Sequence, residues 1–226
     1  MTKKIFSWLG KEFVELSSEA QSGATATEQA REIFLRFDRE LRTTGLFLDN
    51  TVRTRLWGKD RESRDLGSEE RVRVLSGKAR SASSSYIAPD HFDSEACVAL
   101  DLVAMRPSRS ETQKILKEYD PPIVPLRYLI YDSVVFLSGV TAVLPALEDQ
   151  LADILPRISS SLADAGSSWD RVAKVSFYLH RSQKLETLRA LFRKTVAAEI
   201  TQIEYSFVDG YSAAGKLIEI ETAATS

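Results

Sequence analysis

The chain is poor in the residues that build covalent and metal-bound sites. Among its 226 residues there is one cysteine, Cys97, and there are two histidines, His91 and His180. A single thiol excludes an internal disulfide and a thiolate metal cluster, and two imidazoles far apart in sequence argue against a zinc centre. No apolar run approaches the roughly 18 residues that a membrane helix needs. The opening Met1-Thr2-Lys3-Lys4-Ile5-Phe6 has lysines, but its apolar stretch is too short for a secretory leader. Charge of one sign is also lacking. The 30 basic and 32 acidic side chains leave a formal charge of −2, so no overall basic field draws nucleic acid. These absences together predict a cytoplasmic protein without metal, cofactor, membrane or nucleic-acid partner.

What is present is a repeated construction. Val134-Val-Phe-Leu137 is apolar without alternation, as in a strand covered on both faces, and Ser138-Gly139 follows. Leu147, Leu151, Ile154, Leu155, Ile158 and Leu162 then recur at helical spacing up to Gly166. About 120 residues earlier, Thr25 and Glu28 form a capping-box pattern, and Ala30, Ile33, Phe34, Phe37 and Leu41 mark a helix face that ends near Gly45. An offset of 121 carries Gln29 onto Gln150, Gly45 onto Gly166, Asp49 onto Asp170, Leu56 onto Phe177 and Trp57 onto Tyr178. Pro156 falls inside the second long helix, which predicts a kink there or a later start.

The remaining segments complete two copies of a β-β-α-β-α-β-β unit. In the first, strands are expected at Lys4–Leu9, Lys11–Leu16, Ser83–Ala88 and Cys97–Met105, with a short helix at Ser68–Leu75. In the second, the run ending at His180 is a strand, Lys184–Ala197 a helix, and Ile203–Val208 and Leu217–Ala223 the closing strands. The expected division is 1–106, a linker at 107–119 that is helical in part, and 120–226. Lys59–Gly67 and Asp209–Gly215 read as loops. In the third strand of each copy, Thr54 and Leu56, or Val175 and Phe177, alternate with Arg53, Arg55 and Trp57, or Lys174, Ser176 and Tyr178. One face therefore suits the helices and the other is mixed.

Several stretches of the second copy resemble the Rid family (YjgF-like reactive intermediate deaminases). They are Phe136-Leu-Ser-Gly-Val, Gln150, Ala165-Gly166, Asp170-Arg-Val-Ala-Lys-Val-Ser-Phe-Tyr-Leu and Ile218-Glu-Ile-Glu-Thr-Ala-Ala. The first copy follows the same pattern with fewer shared residues. The resemblance implies an α+β fold of two tandem chorismate-mutase-like units, helices on one face of each sheet, and assembly as a homo-oligomer, a trimer being favoured. It also implies hydrolysis of an enamine or imine. In that chemistry an arginine near the fourth strand holds the substrate carboxylate, and a glutamate positions the attacking water.

Carried onto this sequence, the family arginine falls on Ser84 in the first copy and on Glu204 in the second. Arg80 lies four residues before Ser84 and is the candidate replacement. Glu219 stands at the family's glutamate position, where the first copy has Ala99. Arg53 and Arg55 share a strand face and could bind a dicarboxylate by paired hydrogen bonds. Tyr86 and Tyr205 could orient a ligand, and Cys97 reads as inert core. Each copy lacks what the other keeps. A site combining Arg53, Arg55 or Arg80 with Glu219 or Tyr205 is therefore expected, taking a small carboxylate metabolite. The leading activity is a Rid-like deaminase. The alternatives are a chorismatase-like hydrolase of a cyclic dicarboxylate and a non-catalytic binding module.

Overall fold

Thr25 and Glu28 start the first long helix by satisfying each other's amides. In the computed structural model, which describes residues 1–226, Thr25 Oγ1 accepts from the Glu28 amide at 3.2 Å and the Glu28 carboxylate accepts from the Thr25 amide at 3.1 Å. The helix stops at Gly45, whose φ of 72° suits a residue without a Cβ, and Gly166 repeats that φ at the end of the second long helix.

The first unit runs β1 (Thr2–Trp8), β2 (Lys11–Glu19), α1 (Ala26–Thr43), β3 (Thr51–Gly58), α2 (Arg61–Val74), β4 (Ala82–Ile87) and β5 (Val98–Arg106). Its sheet has the order β1-β2-β5-β3-β4, with β3 and β4 parallel and the other neighbours antiparallel. The second unit runs β6 (Ile115–Lys117), β7 (Tyr128–Tyr131), β8 (Val134–Thr141), α3 (Leu147–Asp164), β9 (Val172–His180), α4 (Leu185–Thr195), β10 (Gln202–Val208) and β11 (Ile218–Thr225). Its order is β10-β9-β11-β8-β7-β6. Without β6 this is the first sheet strand for strand, including the one parallel pair, β9 with β10. No helix is long and apolar enough to cross a membrane.

In each unit the helices cover one face of the sheet. Ala30, Ile33, Phe34, Phe37 and Leu41 of α1 pack into one core with Val14, Leu16, Leu56, Leu100 and Leu102. Leu151, Ile154, Leu155, Ile158 and Leu162 of α3 do so with Val135, Leu137, Val175, Phe177 and Ile220. Each fully buried side chain of this size contributes about 2 kcal/mol of transfer free energy. The equivalent glutamines tie helix to sheet in both units. Gln29 Oε1 accepts from the Cys97 and Val98 amides at 2.9 and 3.1 Å. Gln150 Oε1 accepts from the Leu217 amide at 2.8 Å while its Nε2 donates to Leu144 and Gly215 carbonyls, both at 2.7 Å.

Three features differ from the sequence reading. Helix α2 starts at Arg61, seven residues before the expected Ser68, so most of the expected loop Lys59–Gly67 is helix. Asp60 caps it by accepting from the Ser63 amide at 2.8 Å. The residues it buries are Ser63, Gly67, Glu70 and Arg71, which carry no apolar periodicity. Gly67 lets α2 pack closely on β3, since a Cβ there would stand 2.9 Å from a Leu56 methyl. Secondly, the chain divides between Lys114 and Ile115. Part of the segment read as a linker is strand β6, which pairs Ile115 with Ile130 rather than forming a helix. Finally, α3 begins at Leu147 and passes through Pro156. Pro156 and Ala152, whose carbonyl loses its partner, both lie on the exposed side, where water can take that hydrogen bond.

Candidate functional site

The alternation of β11 sets out the site. Ile218 and Ile220 turn to the helices, and Glu219 and Glu221 turn to the opposite face. Both glutamates are nonetheless buried, with relative exposures of 6% and 2%. Carboxylates held out of water on a sheet are costly unless the surroundings are built for them. For Glu219 the construction is visible on β8. Its carboxylate occupies the space where residue 139 would otherwise carry a side chain, and a Cβ there would stand 1.8 Å from Glu219 Oε1. The glycine of Phe136-Leu-Ser-Gly-Val is thus a seat for the acid.

The Glu219 charge reaches two phenols, Tyr211 and Tyr119. Glu219 pairs in register with Thr141 of β8 on one side and Tyr178 of β9 on the other. The buried Tyr211 donates its hydroxyl to the Tyr178 carbonyl at 2.8 Å. Burial, and then the Glu219 charge, push the Tyr211 phenol well above the usual range, so it remains protonated. Tyr119 is also pushed upward, chiefly by burial and further by Glu219, against the opposing pull of Arg157 and Arg127. Arg157, on the outer side of α3, donates to the Thr141 carbonyl at 2.7 Å and to Asp153 at 2.9 Å. A seated carboxyl group with neutral phenols in reach of its field makes a set able to move a proton.

The corresponding part of the first unit is built differently. Ala99 takes the place of Glu219, and Trp57 that of Tyr178. Trp57 Nε1 donates to Asp101 at 2.8 Å. Its indole stacks on the His91 imidazole at 4.2 Å between centroids and an interplanar angle of 14°, with Tyr86 at 5.2 Å. Burial holds the His91 pKa down, although Asp101, Glu19 and Asp93 pull it up. Aromatic packing stands here where the second unit places a carboxylate.

Of the residues singled out from sequence, Arg53, Arg55 and Trp57 do share the face away from the helices, Arg53 being buried and Arg55 half-buried. Ser84 and Tyr86 of β4 are buried, and the Ser84 carbonyl accepts from Arg71. Arg80 precedes β4, near Thr51, with its carbonyl accepting from Lys114 at 2.9 Å. Six residues of strand rise, about 20 Å, separate it from Tyr86. The two are at opposite ends of the strand pair. Tyr205 is not on the face of Glu219. It stacks on Phe177, a core residue, at 5.4 Å and 11°, with the Arg189 guanidinium 4.8 Å from its ring centre. At the second family arginine position, Glu204 forms an ion pair with Lys174 at 2.8 Å.

Sequence reasoning missed Tyr119 and Tyr211. Tyr119 lay in the supposed linker and Tyr211 in a loop. No spacing rule links them.

No protein-family model matches the sequence, and no curated protein matches it. Solved structures do. A chorismatase crystal structure superposes with a TM-score of 0.67 at 13% identity, covering 98% of this chain and 79% of that one. A Rid-family protein of unknown function from Yersinia pestis covers 50% of this chain and 99% of its own, with 17% identity and a TM-score of 0.46. A YjgF/YER057c/UK114-family member from Mycobacterium tuberculosis covers 50% of this chain and 100% of its own, with 18% identity and a TM-score of 0.42. The chain shares the chorismatase fold almost end to end, laid out as two consecutive α+β units.

Proposed function

We propose, for a chain built on the chorismatase fold, that it hydrolyses a small metabolite bearing carboxylates, with Glu219 as the group that moves the proton. The observation that carries this reading is the buried Glu219 carboxylate seated on the glycine at position 139. The reaction that best joins site and fold is hydrolysis of an enol ether on a cyclic dicarboxylate. Glu219 in its protonated, carboxylic acid form delivers a proton to the terminal =CH2 carbon, and the cation that forms on the oxygen-bearing carbon takes up water. Glu219, now a carboxylate, removes a proton from that water. The hemiketal then breaks its bond to the ring oxygen, which takes the proton from Glu219 while the hemiketal hydroxyl returns one to it, giving pyruvate, a ring alcohol and the acid form of Glu219 again. A positioned acid–base group of this kind contributes about 10²- to 10⁴-fold in rate.

A second reading, an enamine or imine deaminase, is favoured by the place of Glu219 alone. It has less support, because the arginine that such chemistry uses is replaced by Ser84 and by Glu204, and Glu204 is already engaged by Lys174. The trimeric assembly implied by the resemblance belongs to the same proposal, and sedimentation equilibrium at three times the chain mass would support it. The function is tested by supplying chorismate and assaying pyruvate, in parallel with 2-iminopropionate generated in situ and an ammonia assay. Pyruvate from chorismate, lost in Glu219→Gln, supports the hydrolase. Accelerated ammonia release from the imine, with no pyruvate from chorismate, would move the assignment to the deaminase. Carboxylate binding with neither product would make the chain a binding module.

A further inference from the structure

We infer that the Lys174 ammonium receives a carboxylate of the substrate, and that Glu204 is the internal counter-ion which this carboxylate displaces. This rests on the reading of Glu219 as the reacting group and adds to it the part that holds an anionic substrate. Strand pairing puts the groups concerned on one face of the second sheet. Val175 and Phe177 of β9 turn to the helices, so Lys174, Ser176 and Tyr178 turn to the opposite face. Glu219 and Glu221 of β11 pair in register with Tyr178 and Ser176. Glu204 of β10 pairs with Ser176 from its other side. Lys174 is the one cation among these six residues.

The Glu204 carboxylate marks where an anion sits. Its Oε1 meets the Lys174 ammonium at 2.8 Å, and its Oε2 accepts from Ser176 Oγ at 3.2 Å. A carboxylate bound there lies at the level of Ser176, two residues along β9 from the level of Glu219. Two residues of rise and one strand spacing together make about 8 Å. A six-membered ring carrying a carboxylate and an enol ether side chain can bridge that gap. Glu219 and Glu221 are buried, whereas the side chains of Lys174 and Glu204 are 27% and 53% exposed. The ion pair therefore stands at the open margin of a buried floor. Ion pairs so exposed are weak, and an incoming carboxylate displaces Glu204 at little cost. It also re-forms the same charge-assisted bond to the ammonium. The first unit has Arg53 at the position of Lys174, on the same face, but Ser84 at the position of Glu204. Both units thus put a cation on this strand, and the second adds a carboxylate that guards it.

The test is calorimetric titration of the intact chain with benzoate and with pyruvate, in wild type and in Lys174→Met, Lys174→Arg, Glu204→Gln and Glu186→Gln. Loss of a charge-assisted bond predicts about 10- to 100-fold weaker binding in Lys174→Met. Lys174→Arg keeps the charge and retains most of the affinity. Glu204→Gln removes the internal competitor and binds roughly 2- to 5-fold more tightly than wild type. Glu186→Gln removes an exposed charge from α4 and leaves the affinity unchanged, which separates displacement from a general change of field. Opposite signs for the two members of one ion pair are the signature, since a merely structural pair would give losses of the same sign or none. With chorismate, Lys174→Met raises KM far more than it lowers kcat. Should Lys174→Met prove unfolded by circular dichroism, Lys174→Arg and Glu204→Gln decide the matter. Unchanged binding in folded Lys174→Met, weaker binding in Glu204→Gln, or no binding of either probe by wild type and Glu204→Gln overturns the inference. Lys174-dependent binding without pyruvate from chorismate would remove the hydrolase reading and leave the subsite standing. Pyruvate release with the same KM in wild type and Lys174→Met would do the reverse.

Discussion

A methyl group at residue 139 would stand 1.8 Å from Glu219 Oε1 and 2.4 Å from its carboxyl carbon. The atoms in conflict are the end of a flexible side chain, so the collision moves the acid rather than the sheet. Gly139→Ala is accordingly expected to cut pyruvate release at least tenfold. It should shift the melting temperature by no more than about 4 °C, the equivalent of roughly 1 kcal/mol in a chain of this size. Parallel activity and thermal scans check this, and wild-type turnover in the Gly139→Ala variant would detach Gly139 from the chemistry. At this scale the sequence was partly legible. Alternation put Arg53, Arg55 and Trp57 on one strand face, whereas Glu219 was singled out by its place in the family resemblance. Tyr205, singled out as a residue that could orient a ligand, pairs in register with Phe177 and turns to the core side. Pairing register is a property of two strands, and one strand's pattern does not contain it.

Among the elements, α2 shows what periodicity cannot see. It is held by ions instead of a hydrophobic stripe. Glu70, buried beneath it, accepts from Arg73 Nε at 2.7 Å and from Arg31 Nε of α1 at 2.8 Å. Hydrogen bonds from Arg73 and then Arg31, working against burial, hold its pKa down at about 2 from 4.5. A carboxylate with a depressed folded pKa stabilises above its unfolded value and loses that stabilisation as pH falls through the folded one. Wild type should therefore exceed Glu70→Gln by about 2 kcal/mol at neutral pH, allowing for the exposure of both arginines. The difference should disappear between pH 4.5 and about pH 2. Urea unfolding across that range measures it, and a pH-independent gap would contradict the ionic account. Helices α1 and α3, by contrast, were readable from their apolar faces and glycine stops. Strand β6 was not, because three edge residues with little burial carry no pattern.

For the molecule as a whole, the duplication shows in the matching sheet orders and in the two glutamines that join helix to sheet. Gln150 is fully buried and serves three backbone groups, whereas Gln29 is half-buried. Leaving buried backbone groups unpaired predicts a cost of about 3 kcal/mol for Gln150→Ala and about 1 kcal/mol for Gln29→Ala. Chemical denaturation of the two variants tests that order. The duplication could be read from the chain because it was written in spacing: 121 residues separate Gln29 from Gln150 and Gly45 from Gly166. The site was less legible, because Tyr119 and Tyr211 come from unrelated segments that only folding brings within reach of the Glu219 charge. The proposed reaction depends on Glu219 as the reacting group. That dependence is tested most directly by the initial rate of pyruvate release from chorismate in wild type and in folded Glu219→Gln. The prediction is a rate lowered about 10²- to 10⁴-fold with carboxylate binding retained. Equal rates in the two proteins would contradict it.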